Sequence, residues 1–243
     1  MKCIALSNRT SKEILRDPIN LFFGLGFPLV LILLLSTIQR NIPVSLFEID
    51  RLTPGISVFG LSFMSLFAAV IVSKDRESAL LSRLYTTPLK SSDFIIGYIL
   101  PLIPISIMQG IICYIVAIPF GLKPSIGIIW ALLGNILVSL FFISFGVFCG
   151  SFLTSKQVGG VCGALLTNLS AWLSGVWFDI SLVGGVFKAI ADALPFIHAV
   201  EMEKALFSGN YEGIGIHILV VGIYTLLMTL LAIFMFLRQM KKK

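Results

Sequence analysis

Six stretches of the chain carry no Asp, Glu, Lys or Arg: residues 18–39, 52–73, 94–122, 124–155, 157–178 and 213–237. Each is a continuous apolar run. A helix needs about 20 such residues to cross the hydrocarbon core of a bilayer. Backbone groups in lipid must be satisfied within the segment, so the runs are helices. The pattern therefore predicts an all-α polytopic membrane protein, a single transmembrane domain over residues 1–243. Six spans are expected, over about 19–38, 54–73, 94–119, 127–152, 158–178 and 214–237. A membrane β-barrel is excluded, because its strands alternate with a period of two. Pro101, Pro104 and Pro119 predict kinks in the third span. Gly146-xxx-Gly150 and Gly159-xxx-Gly163 have the spacing for close helix contact.

The segments between the runs are patterned too. Over residues 2–17, helical spacing gathers Lys2, Arg9, Lys12 and Arg16 on one side. Ile4, Ile14 and Leu15 fall on the other, and Asp17-Pro18 ends the helix. This is the pattern of an interfacial helix whose basic stripe meets anionic headgroups. Residues 74–92 open with dense charge, and Leu80, Leu81 and Leu84 then form a short apolar ridge before Thr87-Pro88. A solvated loop needs no such ridge, so it packs on a partner, on the spans or on headgroups. In residues 179–212, Val183, Phe187, Ile190 and Leu194 have helical spacing, and Pro195 stops that helix. A second short helix fits residues 199–207. Neither is long enough to span, which predicts re-entrant or interfacial helices before the last span.

Composition narrows the class. The chain is 57% hydrophobic and only 12% charged, against about 25% charged in soluble domains. An ordinary soluble enzyme and a disordered chain are both excluded. The net charge of +6 is a topology signal, since thirteen of the 18 Lys and Arg fall on the side that holds both termini. That side is expected to be the cytoplasm, in a multi-pass protein of the cell membrane. The basic residues are scattered among short loops, so no nucleic-acid partner is expected. The first apolar run follows 17 mostly polar residues, so no cleavable leader is expected. Cys3, Cys113, Cys149 and Cys162 form no CxxC pair and read as small packing residues.

The runs hold no acid or base of the kind that ion-coupled transporters bury, nor charged rings for a filter. His217 stands at the start of the sixth run and reads as interfacial rather than as a proton relay. Asp179, Asp192, Glu201, Glu203 and Glu212 outnumber Lys188 and Lys204, giving a mildly acidic outer mouth. No phosphate-binding loop, HExxH or GxSxG occurs, so the chain is expected not to be an enzyme. What remains is a transport subunit driven from outside, or a non-transporting scaffold or passive channel.

Particular residues narrow this further. Leu15-Arg16-Asp17-Pro18 closes the N-terminal helix, and Leu52-Thr53-Pro54-Gly55 stands before the second span. Arg76-Glu77 is followed by Arg83-Leu84 and Thr87-Pro88-Leu89, and Leu194-Pro195-Phe196-Ile197-His198-Ala199 precedes the last span. In these the chain resembles the type-2, drug-exporter-like permeases of ABC transporters along nearly its whole length. It departs at Ala79-Leu80, where that family often has Gly-Thr. The resemblance implies two ATP-binding subunits that hold ATP and Mg, with no cofactor in this chain. It implies a second permease copy, taken as a homodimer. It also implies a coupling helix in residues 74–92, with Glu77, Leu80, Leu81, Arg83, Leu84, Tyr85, Thr87 and Pro88 meeting the ATPase. The cargo expected is a drug-like, peptide or lipid-like amphiphile leaving the cytoplasm or inner leaflet.

Overall fold

The computed structural model describes residues 2–42, 47–78, 80 and 91–241. Among these every regular element is helical. The chain opens with α1 (Lys2–Leu15). The first span follows as α2 (Pro18–Leu21), a π-helical turn (Phe22–Gly26) and α3 (Phe27–Asn41). Next come α4 (Ile49–Glu77), α5 (Ser91–Ile99) and α6 (Leu102–Ala117), with a 3-10 turn over Ile118–Phe120, and α7 (Gly127–Phe152). Then come α8 (Ser155–Val158), a π-helical stretch (Gly159–Leu166) and α9 (Thr167–Leu173). The chain continues through α10 (Ile180–Val183), α11 (Gly185–Ala193) and α12 (Pro195–Ser208), and closes with α13 (Ile214–Lys241).

Among the described residues, five helices are long and apolar enough to cross a membrane: Pro18–Asn41, Ile49–Glu77, Ser92–Phe120, Gly127–Phe152 and Ile214–Gln239. The expected span over 158–178 is not among them. Its helix begins at Ser155 and ends at Leu173. Ser155-Lys156-Gln157, three glycines and Asn168 dilute its apolar character. It nevertheless runs the length of α4. At one end the Ser155 and Ser73 hydroxyls are 3.1 Å apart. At the other, Val176 lies against Gly55, and the Trp177 ring is 5.8 Å from that of Phe59. The chain thus crosses the bundle a sixth time, on a π-helical segment rather than a regular α-helix. α1 and the last turns of α13 consequently lie at the same end.

The kinks are where proline chemistry puts them. The third span breaks at Leu100-Pro101, and Pro119 sits in the 3-10 turn. Pro104 is absorbed in the first turn of α6, where backbone N–H groups have no intrahelical acceptor. α4 starts five residues before the expected 54, with Pro54 inside it.

α4 is the central helix, buried nearly throughout, and α7 lies closest along it. Without a hydrophobic drive between helices in lipid, such contact rests on close packing of small residues. A Cβ at Gly146 would collide with the Ser65 carbonyl, and one at Gly150 would lie 2.6 Å from the Ala69 carbonyl. The second glycine pair makes no such approach. A Cβ at Gly159 would meet nothing within 4 Å, and one at Gly163 only the Leu66 side chain at 3.3 Å. Gly146→Val is therefore expected to force α4 and α7 apart and destabilise the chain by about 1–3 kcal/mol or more. Gly159→Ala should cost nothing. Thermal unfolding of the two purified variants in detergent checks the contrast.

α11 and α12 form a helical hairpin that turns back along the bundle, with α12 starting at Pro195 rather than 199. The two helices are separated from α10 by Gly184 and Gly185, both at positive φ, where the expected single helix is broken. α12 lies along the half of α7 that begins at Gly127. Phe207 packs on Gly127 at the start of α7, while Phe196 stacks on Phe142, ring centroids 6.3 Å apart. The tip of the hairpin is tied down by Tyr224, whose hydroxyl donates to the Ala193 carbonyl at 2.8 Å. At about 1.5 Å per residue, that tip lies about 20 Å in from the end of α7.

Candidate functional site

The end of the bundle that holds both termini is organised around the last turn of α4. Asp75 is 1% exposed there. Arg9 of α1 donates two hydrogen bonds to it, Nη1 to Oδ2 at 2.5 Å and Nη2 to Oδ1 at 2.6 Å. Tyr98 of α5 donates a third, from its hydroxyl to Oδ2 at 2.8 Å. A buried carboxylate needs donors of this kind. Asp75 thus joins three helices: α4, which leads into residues 78–90, α5, which follows them, and α1. The hydrogen bonds that Arg9 donates to Asp75 raise its guanidinium above the ordinary value, against the opposing effect of burial.

A second set of contacts holds α4 to the α7–α8 junction. Ser155 donates to Glu77, backbone N to Oε1 at 2.8 Å and hydroxyl to Oε2 at 2.7 Å. Arg76 donates to the Phe152 carbonyl at 3.0 Å and the Leu153 carbonyl at 2.5 Å. These are the free carbonyls that a helix C-terminus presents. The next helix is opened by a capping box in which Thr154 and Gln157 satisfy each other's backbone N–H groups. Gln239, near the end of α13, donates to the Ser151 carbonyl. At this end α1, α4, α5, α7, α8 and α13 are thus each linked to a neighbour by polar side chains.

The expected coupling residues divide between described and undescribed positions. Glu77 is on the last turn of α4 and is held by Ser155, and Leu80 is half-buried. Leu81, Arg83, Leu84, Tyr85, Thr87 and Pro88 lie outside the described residues.

Of the basic stripe on α1, Lys12 and Arg16 are exposed, whereas Arg9 turns inward to Asp75. Lys2 belongs to the helix. Lys12, Arg16 and Lys74 border an open cleft of about 730 Å³ between α1 and α4. The buried face of α1 is Leu6, Ser7, Thr10 and Ile14, with Leu6 against Gly97 of α5. Ile4 and Leu15, expected on that face, are 59% and 65% exposed. The helix is rotated toward the bundle by the Arg9–Asp75 pair and the Leu6–Gly97 contact.

The opposite end departs more from expectation. Glu203, expected at the acidic mouth, has no exposure. It faces Gly134 of α7, within the bundle. Asp179, Asp192, Glu201 and Glu212 remain outside, Asp179 capping α10 through the Ser181 backbone N–H at 2.8 Å. That bond and the Ser181 hydroxyl hold the Asp179 carboxyl below its ordinary value. His217 is half-buried and paired, its Nδ1 2.8 Å from Nδ1 of His198. His198 Nε2 is 2.9 Å from the Asp192 carbonyl, which only accepts, so that nitrogen carries a proton.

Sequence reading missed Asp75, Tyr98 and Ser155, whose partners are distant in the chain. It also misplaced Glu203, although a signal was present. Phe196, Ala199, Val200 and Phe207 lie seven, four and three residues before it and four after, so helical spacing sets Glu203 on the apolar face of α12.

No curated protein matches the chain. The family model for the ABC-2 type transporter matches residues 1–208. Together with the helical membrane architecture, that match shows that the chain belongs to the ABC-2 family, the membrane permease components of ABC transporters.

Proposed function

We propose that the chain is the membrane-spanning subunit of an ATP-driven exporter, working as a homodimer with two ATP-binding subunits in the cell membrane. The cargo class is a drug-like, peptide or lipid-like amphiphile. ATP and Mg are held by the partner, and this chain contributes the pathway and the surface that receives the partner's motion. The observation that carries this reading is the hub around Asp75. The two helices that flank residues 79–90 meet on one carboxylate together with α1: α4 through its last turn, and α5 through Tyr98 near its C-terminal end. A push on that loop is passed at once to two spans and the surface helix. A passive channel or scaffold has no need of such a junction.

In this reading Leu80, Leu81 and Leu84 enter an apolar groove on the ATPase, and Arg83 makes charge-assisted contacts there. Tyr85, Thr87 and Pro88 set how the loop returns to α5. Glu77 anchors the loop's first residue to Ser155 and borders the same surface. The stripe of Lys12 and Arg16, with Lys2, faces the headgroups of the inner leaflet. The end that holds them is cytoplasmic, since thirteen of 18 Lys and Arg gather on that side.

Sidedness gives the test. Ser92 and Ser208 are both exposed and stand at opposite ends of the bundle. Single cysteines there, on a background without the four native ones, are expected to react with an impermeant thiol reagent from opposite faces, Ser92 from the cytoplasm. Labelling of both from one face would overturn the topology.

A further inference from the structure

Glu203 is the least satisfied ionisable group among the described residues. Neither of its oxygens accepts a hydrogen bond from the protein. Other buried polar atoms of this half of the bundle are also without partners. Asn135 spends its amide N–H on the Ser57 hydroxyl at 2.9 Å, and Gln109 spends its own on the Ser57 carbonyl at 3.3 Å. The amide oxygens of both are buried without a donor, as is the Tyr114 hydroxyl. Tyr114 stacks on Phe207, one turn along α12 from Glu203, with ring centroids 5.8 Å apart.

Among the described residues no cation faces the carboxyl. α4 has no charged residue between Leu52 and Ser73, and α7 offers only Gly134 and Asn135. α6 offers Tyr114. On α12 itself Lys204 is 2.8 Å from Glu201. His217 of α13 is engaged with His198. An ionised carboxylate in this geometry has no counter-ion and no donor in hydrogen-bond contact among the described residues. Burial accordingly pushes the Glu203 carboxyl well above its ordinary value. A proton is the one cation that needs no cavity. The site has little room for more, since a Cβ at Gly134 would lie 2.7 Å from Oε2.

We infer that Glu203 is a proton-binding site that latches the α11–α12 hairpin, protonated while α12 is seated against α7 and deprotonated when α12 lifts. On lifting, water reaches the carboxyl, the O–H bond breaks, and the proton passes to that water. On reseating, the carboxylate takes one proton back, so no proton crosses the membrane. The seated state binds one more proton than the lifted one. Seating is therefore favoured as pH falls. Between the ordinary carboxylate value and the raised seated value, lifting gains about tenfold per pH unit.

Hydrogen exchange of the full chain in phosphatidylcholine nanodiscs tests this without the ATPase partner and without regard to the direction of transport. After correction for intrinsic base-catalysed exchange, wild-type protection over residues 195–208 is expected to fall about tenfold per pH unit as pH rises between the ordinary carboxylate value and the raised seated one. Glu203→Gln, which keeps the shape of the neutral acid, is expected to stay protected and flat. A wild-type response that is flat or rises with pH overturns the proposal, as does Glu203→Gln retaining the wild-type slope. Infrared spectra of the wild type alone give an independent readout. The carbonyl stretch of a protonated carboxyl is expected at neutral pH, shifted in D2O, and its absence also overturns the proposal.

Discussion

Replacing Leu81 and Leu84 together by Asp is expected to leave the chain inserted and dimeric while stripping it of its ATPase partner. Full burial of one Leu is worth roughly 1.5–3 kcal/mol. Losing two such contacts removes about 3–6 kcal/mol, or about two to four decades of affinity, before the cost of desolvating two carboxylates is counted. Substrate-stimulated ATP hydrolysis should vanish with the association. Carbonate extraction reports insertion, and co-sedimentation of the ATPase with vesicles reports binding. Normal ATPase binding by the inserted variant would place the coupling surface elsewhere in the chain.

The second large effect is expected at Asp75. Asp75→Ala removes the carboxylate acceptor of the buried Tyr98 hydroxyl and two charge-assisted bonds from Arg9. Breaking a buried ion pair costs about 3–5 kcal/mol. The Arg9 side chain is 39% exposed and keeps Glu13 at 2.8 Å, so part of that is recovered by hydration. The expected loss is about 2–3 kcal/mol of stability. A double-mutant cycle with Arg9→Ala should give a coupling of about 1–2 kcal/mol. Function should suffer more than stability. With α1 and α5 released from α4, ATP hydrolysis is expected to continue while transport per ATP falls. Strict additivity of the two substitutions would show that Asp75 is not the junction.

The spans were legible because a charge-free apolar run has one physical solution in lipid, and α7 begins and ends at the expected Gly127 and Phe152. The exception was the fifth run. Polar residues and glycines there give a helix that is partly π-helical and ends at Leu173, held in place by α4 rather than by its own apolarity. The α11–α12 hairpin was legible from Pro195 and helical spacing. Its depth was not, since that depends on Phe196 meeting Phe142 and Tyr224 meeting Ala193. The basic end was legible as a charge count. Its wiring was hidden, because Arg9 and Asp75 are 66 residues apart and nothing local marks them as partners. The burial of Glu203 stands between these cases. Helical spacing placed it on the apolar face of α12, but the surplus of acids around it made it look like part of a solvated mouth.

Purification of the tagged full chain from its native membrane in mild detergent, with ATP hydrolysis assayed on the eluate, tests the central claim most directly. An ATP-binding subunit is expected to elute in equal amount with the chain, and the eluate to hydrolyse ATP. A chain that elutes intact and dimeric, with no ATP-binding subunit and no hydrolysis, would contradict the account.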